Sequence, residues 1–174
     1  FADAPVIAAA AERAVATTLV TVEGRMLTEV SLTLRNRAQP FMKVALPAGA
    51  TMVSAEVAGE QAKPVVGTDG TRVPLMRAGF RPDGPYNVSF VYLHAGQPFA
   101  KRGDVQMMLP QIDVPVTVLE WELFLPDRFA AKPLAGTVIP SRLVEPPSPA
   151  PGYGISPRVV VSGGASGGRF GGGT

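Results

Sequence analysis

Proline and glycine punctuate this chain so densely that a long helix has almost nowhere to form. The 174 residues include 18 prolines and 19 glycines, and beyond Ala8–Ala11 no window sustains a 3.6-residue apolar period. Proline lacks the amide that a helix interior requires, and glycine loses the most conformational freedom on ordering. Between these breakers lie short segments with an apolar period of two, the spacing of side chains along a strand.

Met26 to Arg35 places Val30, Leu32 and Leu34 on one face and Glu29, Ser31, Thr33 and Arg35 on the other. Phe41 to Leu46 repeats the pattern, with Met42, Val44 and Leu46 inward and Lys43 outward. Thr51–Val57 and Gln61–Val66 flank Ala58-Gly59-Glu60, where glycine supplies the positive φ of a tight hairpin. Asp69-Gly70 and Asp83-Gly84 mark further turns between Gln61–Val66, Thr71–Leu75 and Tyr86–His94. Val105–Leu109 and Val114–Leu125 follow; in the second, Leu119, Trp121, Leu123 and Leu125 share a face opposite Val118, Glu120 and Glu122, as in a central strand. Counted from Ala14–Val22, about nine strands are predicted. The expected fold is all-β, an antiparallel two-sheet β-sandwich of immunoglobulin-like or jelly-roll-like type with an extended Pro/Gly-rich C-terminal arm. The corresponding division is an N-terminal extension over 1–12, the sandwich over 13–139 and the arm over 140–174.

Composition removes several classes of function. Hydrophobic residues make up 46% and charged residues 17%, with a net charge of +2, so the chain can bury a core. The sixteen basic residues are scattered from Arg13 to Arg169 without a run longer than two, and no concentrated cationic face for nucleic acid is expected. The absence of cysteine excludes disulfides, thiolate catalysis and Cys-based zinc sites. Phe1 to Ala4 lack both an initiator methionine and a basic n-region, which predicts a processed or excised chain. Pro5 to Ala11 is far shorter than the ~20 apolar residues that span a bilayer, so no membrane-spanning segment is expected.

After Phe129 the composition changes. Pro140, Pro146, Pro147, Pro149, Pro151 and Pro157 predict an extended, polyproline-like strap over about 141–157. Arg158-Val159-Val160-Val161 is a β-rich patch, and the glycine-rich run from Gly163 to Gly173 has too few side chains to pack a core.

The stretch from Leu27 to Pro64, LTEVSLTLRNRAQPFMKVALPAGATMVSAEVAGEQAKP, resembles a pattern of large exported bacterial proteins of uncharacterised function. The matching positions are Arg35-Asn36, Phe41, Val44, Leu46-Pro47, Gly49-Ala50, Val57, Gly59 and Lys63-Pro64. Leu109-Pro110 and Val118 to Pro126 around Trp121 extend it over about two-thirds of the chain. The resemblance implies a β-sandwich module in an extracytoplasmic setting, secreted, periplasmic or on the cell surface. It implies no catalytic residue, and the strap and glycine tail fall outside it.

Candidates for chemistry are few. Gly164-Ala165-Ser166-Gly167-Gly168 matches G-x-S-x-G, but a nucleophile elbow needs a following helix, and five of the eight residues after Ser166 are glycine. His94 is the only histidine and is expected at a strand end beside Ala95-Gly96. Glu120 and Glu122 would project from one strand face about 7 Å apart, a separation that glycosidase carboxylates share, but a solvated face paired with arginines on a neighbouring strand is the favoured origin of such a pair. Trp121 could stack on a sugar, yet its leucine neighbours favour the core; Tyr86, Phe90 and Tyr92 invite the same reading. Asp69, Asp83, Asp104 and Asp113 are too dispersed for a dedicated Ca²⁺ site. Asn87-Val88-Ser89 is an N-glycosylation sequence inside a predicted strand, read as chance.

These features predict a non-catalytic structural or protein-interaction module without cofactor or metal. Its partners would be protein subunits or other domains of its parent protein, with Arg158, Val159, Val160 and Val161 added as a strand to a neighbour's sheet edge. A carbohydrate-binding module is the alternative.

Overall fold

A computed structural model describes residues 8–101, 103–140 and 158–173. The described residues are all-β, with strands β1 (Ala9–Val20), β2 (Arg25–Asn36), β3 (Phe41–Ala45), β4 (Thr51–Val57), β5 (Glu60–Ala62), β6 (Val65–Gly67), β7 (Gly70–Pro74), β8 (Tyr86–Ala95), β9 (Gly103–Met107), β10 (Gln111–Ile112), β11 (Val116–Phe124), β12 (Ala130–Pro140) and β13 (Arg158–Gly173). Nine belong to one sheet in the order β12-β13-β11-β1-β2-β8-β4-β5, with β9 also on β13; β10-β3-β7-β6 form a second.

Alternation dictates which side chains point inward. In β2 Met26, Thr28, Val30, Leu32, Leu34 and Asn36 are buried, every second residue of a strand whose sequence alternates. In β1 the parity changes: Ala9 and Ala11 face in, then Ala14, Ala16, Thr18 and Val20. A bulge between Ala11 and Arg13 in the β1–β2 ladder inserts the extra residue that makes this possible. Small side chains suit β1 because Ala16 pairs with Trp121 of β11, whose indole fills the adjoining volume. Met42 and Val44 of β3 and Val73 of β7 are buried in the same apolar cluster, so both sheets contribute to one core.

The predicted hairpin at Ala58-Gly59 is present. Val57 pairs with Glu60 across a two-residue turn in which Ala58 has φ 51° and Gly59 φ 80°, the paired positive angles of a type I′ turn. The predicted strand Gln61–Val66 is instead two. Lys63-Pro64 breaks it, β5 stays in the larger sheet and β6 pairs with β7 in the smaller; Pro64 has no amide to continue a ladder.

Two expectations require correction. The sheets are not wholly antiparallel, because β1 and β11 run parallel from Ala11↔Val116 to Leu19↔Phe124, which makes the larger sheet mixed. Parallel neighbours need a long crossover, and β2 to β10 provide it. Nor does the chain's regular structure begin at 13 and end at 139: β1 starts at Ala9, and residues from the region assigned to the arm form β13 within the larger sheet. The strap over 141–157 lies outside the described residues.

Candidate functional site

Arg158, Val159, Val160 and Val161 open β13, which lies antiparallel to β11. Phe124 pairs with Arg158, Leu123 with Val159, Glu122 with Val160 and Trp121 with Val161. The same strand continues along β12, from Pro140↔Val161 to Ala130↔Gly173, and along β9, from Met107↔Gly168 to Gly103↔Gly172. A glycine-rich segment can do this because a ladder is made by backbone amides and carbonyls and asks for no side chain. The glycine run is thus held by backbone pairing within its own chain.

The β11 residues opposite this strand are engaged. Both carboxylate oxygens of Glu120 accept from Arg13 Nη2, at 2.8 and 2.7 Å, across the parallel β1–β11 pair. Those are the lone pairs that a general acid or base would need. Trp121 is 2% exposed and donates its indole N–H to Thr18 Oγ1 at 2.9 Å. Thr18 and Thr28 share a hydrogen bond of 2.9 Å, and Thr28 in turn bonds to Tyr92. This polar chain crosses β11, β1, β2 and β8 inside the core. Burial raises the Tyr92 phenol above its ordinary pKa, with the Thr28 hydrogen bond opposing; burial raises Tyr86 likewise, opposed by Asn36. Trp121, Tyr86, Phe90 and Tyr92 are therefore core side chains.

A recess of about 460 Å³ opens beyond the ends of β2, β8 and β11. Met26, Met107 and Leu123 are its buried floor. Phe99 and Phe129 face each other with centroids 5.2 Å apart, and the Arg128 guanidinium lies 5.2 Å from the Phe129 ring. His94, Lys101 and Asp104 contribute polar groups to the lining. One wall, Gly96 to Phe99, is pinned to the β1–β2 turn: Gly96 N–H donates to the Gly24 carbonyl at 2.8 Å and Phe99 N–H to that of Val22 at 3.0 Å. Gly24 has φ +80°, and a Cβ there would sit 2.1 Å from the Gln97 carbonyl oxygen, so only glycine permits this closure. The lining of the recess thus combines apolar side chains with charged groups of both signs. Sequence reasoning missed it because Phe99 and Phe129 are thirty residues apart in segments read as loops; the sole hint was the Gly96-x-x-Phe99 spacing after β8.

The remaining candidates are dispersed. Asp69 bonds to Lys43 Nζ at 2.8 Å and Arg72 Nη2 at 3.3 Å, and the Lys43 hydrogen bond leads the interactions that lower its pKa. Asp113 accepts from the Lys43 amide at 2.8 Å. Among the described residues no three His, Asp or Glu gather where a metal could be held. Asn87 and Ser89 lie within β8. Ser166 lies within β13, and the residues after it remain extended to Gly173, unlike the strand–turn–helix of a nucleophile elbow. No described helix is long and apolar enough to cross a membrane.

No protein family model and no curated protein sequence matches this chain. Solved structures share its fold. The M1 zinc metallopeptidase from Deinococcus radiodurans is 15% identical with a TM-score of 0.55, over 94% of this chain and 42% of that one. Native yeast LTA4 hydrolase is 10% identical with a TM-score of 0.62, over 95% of this chain and 29% of that one. Nearly the whole chain is thus similar to less than half of either protein.

Proposed function

We propose that the chain is a non-catalytic β-sandwich interaction module of a larger extracytoplasmic bacterial protein, completed by an added strand that begins at Arg158–Val161. The observation that carries this reading is the β11–β13 ladder from Glu120↔Ser162 to Phe124↔Arg158. A segment attached through a proline-rich stretch and held by backbone pairing is suited to exchange between its own sheet and that of a neighbouring subunit or domain. The likeness to a minor part of two large hydrolases supports a place inside a multidomain enzyme, with the chemistry carried by other domains. The engagement of Glu120 by Arg13 supports the same division of labour.

Strand donation is tested by ending the chain after Pro140 and supplying a synthetic peptide of residues 158–173. In the shortened chain, alternate amides of Glu120–Phe124 should exchange at least tenfold faster, because β1 satisfies only one edge of β11, and the peptide should restore their protection. Protection that is unchanged by the truncation, or that the peptide does not restore, overturns strand donation.

A further inference from the structure

The outer face of the larger sheet carries a row of apolar side chains that the core does not use. The register sets Phe124 beside Leu19, Leu19 beside Leu27 and Leu27 beside Leu93, one each from β11, β1, β2 and β8. They are 39%, 52%, 43% and 43% exposed, whereas the row one residue away, Leu123, Thr18, Thr28 and Tyr92, is at most 2% exposed. At a strand spacing of about 4.8 Å the four residues form a strip about 15 Å long. Single exposed leucines are ordinary on protein surfaces, but four in hydrogen-bonded register form a contiguous patch.

The charges beside the strip select its occupant. Outward residues of β2 read Arg25, Leu27, Glu29, so a cation stands on one flank and a carboxylate on the other. On the Glu29 flank the register adds Glu122 of β11, with Thr17 between them; on the other flank Arg25 pairs with Ala95. Arg25 acts electrostatically on nearby Glu23, yet neither Arg25 nor Glu29 is in a salt bridge among the described residues. A partner of uniform charge, or an anionic bilayer, would match one flank and repel the other. A second copy, turned by 180° about the strip's long axis, satisfies both at once. That rotation lays leucine on leucine, aligns the strands within about 30° and brings each Arg25 over the other copy's carboxylate flank.

We propose that this strip is an isologous interface between two copies of the chain, with Leu27 on the two-fold axis and Arg25 facing Glu29 of the partner subunit. The strip is short, so the association is weak, with a dissociation constant on the order of 10–100 µM.

Sedimentation equilibrium of the 174-residue chain tests this. A concentration-dependent dimer is expected, and Leu27→Glu should raise its dissociation constant at least tenfold. Arg25→Glu alone and Glu29→Arg alone should each weaken self-association about tenfold, whereas the double variant should return to within about threefold of the native chain, because the pairing is restored in reverse. An equimolar mixture of the two single variants should form a heterodimer. All variants change exposed side chains, and β-sheet circular dichroism checks each fold; should Leu27→Glu unfold, the charge exchange decides by itself. A chain that stays monomeric at about 0.5 mM, whether the strip is bare or covered by another domain of a longer chain, overturns the proposal. Equal self-association of the single and double charge variants also overturns it.

Discussion

At the scale of single residues, the most informative feature is the polar string inside the core. Trp121, Thr18, Thr28 and Tyr92 bury an indole N–H and three hydroxyls in one connected chain, and connection keeps such burial from being costly. Thr18→Val preserves shape but strands the Trp121 donor. It should destabilise the fold by about 1–3 kcal/mol, measured by urea denaturation; no loss of stability would show that the string does not bear on the fold. The burial of Trp121 was legible from the leucines that share its face. Its bond to Thr18 was not, because that contact depends on the parallel placement of β11 beside β1, and residues 103 positions apart carry no local signal of it. The Glu120 partner was foreseen only in kind: Arg13 supplies the cation from the neighbouring strand.

At the scale of elements, the period of two located β2, β3, β4, β7 and β8 closely, since each has one dry and one wet face. It failed where side chains do not report the pairing. β12 contains Pro133, Gly136 and Pro140 and reads as irregular, and of β13 only Arg158–Val161 reads as strand, not the glycine-rich remainder, yet their backbones pair with each other and with β9 or β11. Strand direction was likewise invisible, because alternation is the same in parallel and antiparallel neighbours. The pinned wall of the recess makes an element-scale prediction. Gly24→Ala puts a methyl group against the Gln97 carbonyl at a positive φ. It should cost about 1–3 kcal/mol and speed amide exchange at Gly96 and Phe99, whose carbonyl partners are Gly24 and Val22. Unaltered exchange at both amides would show that the turn does not hold the wall.

At the scale of the whole molecule, a core shared by two sheets is extended by a strand that arrives last in the sequence yet lies between β12 and β11. Its partners in β11 lie 34 to 42 positions away in the sequence, far nearer than the 105 positions that separate the paired residues of β1 and β11. The central claim is that Arg158–Ser162 complete the edge of β11, and native-state hydrogen exchange of the intact chain tests it most directly. The account predicts that every amide of Glu120–Phe124 is protected by at least about 10³-fold over the unfolded rate, with alternate amides of Arg158–Ser162 protected alongside them. Exchange of Arg158–Ser162 at the unfolded rate, together with unprotected alternate amides in Glu120–Phe124, would contradict it.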